Sequence, residues 1–160
     1  MTKPNTSVAS AAPLTSAEAQ TLAERVAAEM FARDRASQAM GMRISKVGPG
    51  RAELTMKVRA DMLNGHATCH GGFIFTLADS AFAFACNSAN MTTVASGCSI
   101  DFIAPAREDD LLTAIGYERS LSGRTGVYDI EVTNQRGETV ALFRGKSYRI
   151  KGHVIAEAAR

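Results

Sequence analysis

The stretch Cys69-His70-Gly71-Gly72-Phe73-Ile74-Phe75-Thr76-Leu77-Ala78-Asp79-Ser80-Ala81-Phe82-Ala83-Phe84-Ala85-Cys86 decides the fold of this 160-residue chain. Behind the two glycines, apolar and small residues occupy every face of a helical wheel, and a helix that is apolar all round has to be buried on all sides. The run is interrupted by Thr76, Asp79 and Ser80 and is shorter than the ~20 apolar residues that a bilayer span needs. It therefore reads as a core helix that the rest of the chain has to wrap.

The flanking segments supply the wrapping. Met42 to Val47 and Arg51 to Arg59 read as two strands around the turn Gly48-Pro49-Gly50, the second alternating through Ala52, Leu54, Met56 and Val58. Downstream, Val94 to Ala104, Leu111 to Leu121, Thr125 to Thr133 and Thr139 to Ile150 are rich in β-branched and aromatic residues between Gly, Pro, Asn or charged turns, and are expected to form an antiparallel meander. Two strands, a buried helix and four strands make an α+β order with one sheet, and curling that sheet around the helix buries both. Ahead of this unit, Thr15 and Glu18 stand at capping-box spacing and Leu22, Val26 and Met30 recur every fourth residue, predicting an extra amphipathic helix from Ser16 to Met40 that stops at Gly41. Residues 15–155 are expected to be one domain, with a flexible tail over 1–14 and a short C-terminal tail over 156–160.

Composition bounds the function. Lys and Arg number 18 against 16 Asp and Glu, for a net charge of +2, which is far from the basic excess of a nucleic-acid partner. Met1 to Ala12 carry one lysine and no apolar centre, so neither a leader nor an anchor is expected, and the predicted location is the cytoplasm. Cys69, Cys86 and Cys98 are an odd number at spacings that match no disulfide framework, and free thiols are expected. His66, Cys69 and His70 have no carboxylate or further His at a supporting spacing, so no metal is expected.

Within the core helix, Asp79 stands among Phe75, Phe82 and Ala83, where an ionised carboxylate costs several kcal/mol unless something compensates it. Such a group either hydrogen-bonds a backbone end, pairs with an Arg, or serves chemistry, and perturbed carboxylates concentrate at sites. Gly71-Gly72 at the helix start offers unpaired N–H groups and the positive end of the helix dipole to a negative oxygen, which suits the oxyanion of acyl transfer; two glycines also simply permit a tight turn. Eight positions separate Gly71 from Asp79, or ~12 Å along one helix, so they cannot grip one carbonyl within a subunit. If both serve one reaction, the carboxylate must meet the glycine N–H of a second copy, across a two-fold interface. Asn64 could hold a water or a thioester oxygen, and His70 could do proton work or orient the loop.

Met62-Leu63-Asn64-Gly65-His66, Cys69-His70-Gly71-Gly72-Phe73 and Leu77-Ala78-Asp79-Ser80-Ala81-Phe82 resemble the signature of the hotdog-fold thioesterases of bacterial phenylacetate degradation. The likeness extends to Val94-Ala95-Ser96, Ile100-Asp101-Phe102, Thr125 to Ile130 and Val140 to Ser147, and so covers about residues 35 to 155. The resemblance implies a hotdog fold that hydrolyses aromatic acyl-CoA thioesters, notably phenylacetyl-CoA and its ring-hydroxylated forms, without metal or organic cofactor. It implies Asp79 as base or nucleophile, the Gly71 N–H as the group polarising the carbonyl, Asn64 placing water or substrate from the opposing subunit, and His70 holding the loop. Gly72 and Ser80, flanking these positions, are expected to contact substrate, and Arg124, Arg144 and Lys146 are the candidates for the CoA phosphates. Ala95 and Ser96 are the positions where related enzymes often carry a water-orienting hydroxyl. Phe102, Tyr128 and Met62 are candidate pocket liners. The implied assembly is a homotetramer, a dimer of dimers. Two other functions fit the same fold: a hotdog dehydratase, for which His70 and Asp79 stand too far apart, and a non-catalytic acyl-CoA binding or sensing module.

Overall fold

The computed structural model describes residues 13–156. Helix α1 (Ser16–Arg33) starts at Thr15, whose hydroxyl accepts from the Glu18 N–H while the Glu18 carboxylate accepts from the Thr15 N–H at 2.8 Å, so the predicted capping box is present. The predicted continuous helix to Met40 is broken, however. The Asp34 carboxylate takes hydrogen bonds from the Ser37 N–H and hydroxyl, at 3.0 and 2.6 Å, and so ends α1 and caps a separate short helix α2 (Arg35–Ala39). This is the capping habit of Asp overriding an apolar period. Gly41, with φ +70°, then turns the chain into the sheet.

Strands β1 (Arg43–Gly48) and β2 (Arg51–Lys57) form the expected hairpin, with Gly50 at φ +66° in its turn. Helix α3 (Gly71–Asn87) follows, and then β3 (Met91–Phe102), β4 (Leu111–Ser122), β5 (Thr125–Thr133) and β6 (Thr139–His153). All six strands join one antiparallel sheet in the order β1-β2-β4-β5-β6-β3. The four later strands are thus not the simple meander expected of them. β4 has β2 on one side and β5 on the other, so β3 crosses to the far edge and pairs with β6.

The sheet curls around α3, which lies against β2, β3, β4, β5 and β6. Leu77, Ala78, Ala81, Phe82, Phe84 and Ala85 on α3 are buried against Leu54, Met56, Leu112, Ala114, Ile130, Val132 and Phe143 of the strands. Phe82 stands at the centre, 5.4 Å from the Tyr128 ring and 6.0 Å from that of Phe143, in tilted pairs. The expected flexible tail before Thr15 falls largely outside the described residues. Among the described residues no helix is long and apolar enough to cross a membrane.

Candidate active site

Helix α3 and strand β3 run past each other in opposite directions, and their alignment is pinned at one end by Asn87. Its amide accepts from the Thr93 N–H at 2.9 Å and donates to the Thr93 carbonyl at 3.0 Å. From that anchor, alternation along β3 turns Cys98, Ile100 and Phe102 toward the helix, because their partners on β6 are the inward-facing Gly145, Phe143 and Ala141. Gly71, Phe75, Asp79 and Cys86 form the matching stripe of α3, at spacings of four, four and seven. Phe102 reaches the Gly71 end of this cleft, and Cys98 lies close enough to Asp79 to feel its charge.

β3 is one of the two edge strands, and from Val94 onward most of it is exposed, so the side of α3 it faces is open to solvent toward the Gly71 end. Val94, Cys98, Phe102 and Ile103 are all exposed. A bulge between Ala95 and Gly97 interrupts the ladder, and Ser96 there donates its hydroxyl to the Lys146 carbonyl at 3.1 Å. Of the two positions, Ser96 carries the hydroxyl and residue 95 is alanine.

Asp79 is half-buried, and no hydrogen bond or ion pair reaches its carboxylate among the described residues. Desolvation by burial raises its pKa above the ordinary carboxylate value. Cys86 is pushed up to about 12, mainly by its own burial, with the Asp79 charge adding to the rise; burial and then the Asp79 charge raise Cys98 in the same sense. The structural alternatives weighed for Asp79, a cap or an Arg partner, are not what surrounds it.

At the helix start, His70 is the N-cap. Its Nδ1 accepts from the Gly72 N–H at 3.0 Å, its carbonyl accepts from the Phe73 N–H at 3.0 Å, and its own N–H donates to the Met62 carbonyl at 2.8 Å. The Gly71 N–H, by contrast, meets no acceptor among the described residues. This separates the two glycines: Gly72 is engaged, and Gly71 faces the cleft beside Phe102. Asn64 closes the preceding loop, its Oδ1 accepting from the N–H groups of His66 and Thr68 at 2.9 and 3.3 Å.

The remaining positions lie elsewhere. Ser80 is turned into the interior, its hydroxyl 3.0 Å from that of Ser37, which anchors α2 to α3 rather than facing the cleft. Met62 and Tyr128 are core residues, with the Tyr128 hydroxyl donating to Glu118 at 2.7 Å. Arg144 and Lys146 project from the opposite face of β6, where the Asp129 carboxylate engages Arg144 at 2.6 and 2.8 Å. Arg124 lies over the Tyr148 ring at 5.1 Å, near Lys146 on that same outer face. Among the described residues no three His, Cys, Asp or Glu side chains are grouped to hold a metal ion. The sequence reading does not single out Cys98 as the neighbour of Asp79, although alternation from Phe102 back to Ile100 and Cys98 carries that signal.

An uncompensated carboxylate, Asp79, and the open N–H of Gly71 thus share the α3 stripe that faces β3. The thioesterase superfamily is matched over residues 66–141. The chain is 52% identical over 129 residues to the acyl-coenzyme A thioesterase PaaI of Escherichia coli strain K12, covering 81% of this chain and 92% of that one. The solved structure of the E. coli PaaI protein from the phenylacetic acid degradation operon superposes with a TM-score of 0.83 at 50% identity, over 84% of this chain and 97% of the other. A hypothetical thioesterase from Streptococcus pneumoniae TIGR4, solved with coenzyme A, superposes with a TM-score of 0.67 at 29% identity, over 70% and 90%. The chain thus belongs to the thioesterase superfamily, an enzyme of thioester hydrolysis built on the hotdog fold.

Proposed function

We propose that this enzyme hydrolyses aromatic acyl-CoA thioesters, phenylacetyl-CoA and its ring-hydroxylated forms, to the free acid and CoA, as a salvage step of phenylacetate degradation in the cytoplasm. The observation that carries the reading is Asp79, a desolvated carboxylate without a partner among the described residues, on the stripe of α3 that faces the open edge of the sheet. A raised pKa brings a carboxylate nearer to neutral pH, which suits proton transfer from water. In the base mechanism Asp79 takes a proton from water as the oxygen attacks the thioester carbonyl. The Gly71 N–H stabilises the oxyanion, and collapse breaks the C–S bond to release the CoA thiolate, which takes up a proton. In the nucleophile mechanism the carboxylate attacks first, the C–S bond breaks to release the CoA thiolate, which takes up a proton, and water then cleaves the mixed anhydride to the free acid and the Asp79 carboxylate.

The unbroken helix between Gly71 and Asp79 keeps them ~12 Å apart in one chain. Two copies joined along their β3 edges would bring the carboxylate of one to the glycine of the other, and the exposed β3 ladder supports that pairing; a pair of such dimers gives the tetramer. In this scheme the domain over 15–155 is the catalytic unit. His70 fixes the loop, Asn64 presents its amide N–H2, and Arg124 with Lys146 meets CoA phosphates.

Release of free thiol from phenylacetyl-CoA, its hydroxylated forms and a straight-chain series tests the reading. Asp79→Asn and Asp79→Ala should fold and lose ~10²-fold or more in rate. Variants that cut as well as wild type, or a wild type that cuts nothing, would overturn it in favour of a binding module.

A further inference from the structure

Phe102 is a large apolar side chain left 54% exposed at the end of β3, and its position is not that of a loose terminus. The backbone just beyond it is tied down, with the N–H groups of Ile103 and Ala104 donating to the Val140 carbonyl at 2.9 and 3.3 Å. From this fixed base the ring lies on the Cα of Gly71. A Cβ built on Gly71 would come within 2.9 Å of Phe102 Cζ and 3.2 Å of Cε1, closer than atoms in contact approach. Glycine at 71, having no Cβ, therefore lets the distal edge of an aromatic ring stand directly beside the first N–H of the helix. One turn along α3, the half-buried Phe75 ring meets Phe143 edge-on at 5.4 Å and continues the same wall.

We infer that Phe102 is a specificity-determining residue, forming the wall against which the acyl group lies and favouring flat aromatic acyl groups over straight chains. The inference rests on the proposed role of Gly71. A carbonyl oxygen accepting the Gly71 N–H sits about 2.9 Å from that nitrogen, so the first atoms beyond the carbonyl carbon fall within reach of the Phe102 ring. An aryl group there gains an offset or edge-on pair with Phe102 that a polymethylene chain cannot make, and such pairs add to area burial alone. Because the ring stands at the mouth of the cleft, the substrate meets it without rearrangement of the core.

The test compares kcat/KM for phenylacetyl-CoA and octanoyl-CoA in wild type, Phe102→Leu, Phe102→Ala and Phe102→Tyr, with sedimentation velocity on each. Phe102→Leu should lower the aromatic value about 10-fold, the upper range for an aromatic pair. It should leave the octanoyl value within about twofold, and Phe102→Tyr should keep the wild-type ratio. An unchanged ratio in Phe102→Leu overturns the inference. So does an equal fall for both substrates accompanied by dissociation, which would make Phe102 an assembly residue. Asp79→Asn, run alongside, separates the two levels: if it loses activity while the Phe102 ratio stays fixed, the hydrolase reading stands and only the role of Phe102 falls. If wild type releases thiol from neither substrate, both fall together.

Discussion

Replacing Asp79 with Asn should make the protein more stable at neutral pH even as it removes hydrolysis. The carboxylate is half-buried without a hydrogen bond or ion pair among the described residues, and burial raises its pKa above the ordinary 3.8. The sign follows from proton linkage. Below pH 3.8 the group is protonated in folded and unfolded chains alike and contributes no penalty. Between that value and the raised one, the unfolded chain releases a proton that the folded chain retains, so unfolding becomes easier by up to about 1.4 kcal/mol per pH unit. Above the raised value the penalty is constant. For a chain of this size that slope corresponds to ~3–6 °C in Tm per pH unit. An isosteric amide carries no such penalty, so the Tm of Asp79→Asn minus that of wild type should start near zero in acid, rise as pH climbs past 3.8, and level off once the raised value is passed. Scanning calorimetry from about pH 4 to 8, at one fixed protein concentration because self-association moves Tm, reads this directly. Other titrating groups cancel in the difference. A flat difference, or a variant less stable than wild type near pH 7, would show that the carboxylate is compensated and would refute the reasoning.

Three further outcomes follow from the packing and the charge layout. Gly145→Ala should cost ~1–3 kcal/mol, because its Cβ would lie 2.8 Å from three atoms of the buried Phe82 ring, held between Tyr128 and Phe143; urea denaturation measures it. Cys69 and Cys86, buried and pushed up to about 11 and about 12, should resist alkylation near pH 8 in the folded protein, and mass spectrometry should find three modified thiols only after denaturation. Arg144→Ala should leave KM for acyl-CoA within about twofold, since Asp129 already holds that guanidinium. Replacing Arg124 and Lys146 together should raise KM about fivefold or more, the effect of ~1 kcal/mol; a larger rise from Arg144→Ala than from the double replacement would place the phosphates on Arg144 instead.

The core of the fold was legible because its signal is redundant. The alternation of β2 and the capping box each state one local preference, and tertiary packing agrees with both; the all-round apolar helix is central as expected, but the single chain covers it on one side only, leaving Gly71, Phe75 and Asp79 half-buried. Strand order was not, since the same alternation serves β3 beside β4 or beside β6, and only the crossover to the far edge decides. The break at Asp34 was hidden because an apolar period carries no record of which Asp will cap. In the site, Asp79 and Gly71 could be picked out by chemistry, and their separation by helix geometry. Which glycine N–H is open could not, because that depends on the His70 ring turning back to Gly72. Ser80 on α3, Met62 in the turn before it and Tyr128 on β5 point inward for the same reason: side-chain facing in a core packed from many elements is set by neighbours far away in sequence.

The two edges of the sheet are managed differently. β1 is six residues long, carries Arg43 and Lys46, and has α1 lying against it. Short length, positive charge and a covering helix are the usual protections against stray strand pairing. β3 has none of these: it is twelve residues long, contains no Lys, Arg or Pro, and its one charge is Asp101 near the end. Apart from the register irregularities at Met91/Thr93 and Ala95/Gly97, nothing in its sequence blunts it. A newly made chain is therefore adhesive on one side only, and the hazard it carries against aggregation is concentrated in a single strand. Lysine placed at Val94 or Ser99 is the substitution most suited to keeping an isolated chain in solution, at the expense of whatever that strand is kept bare to meet.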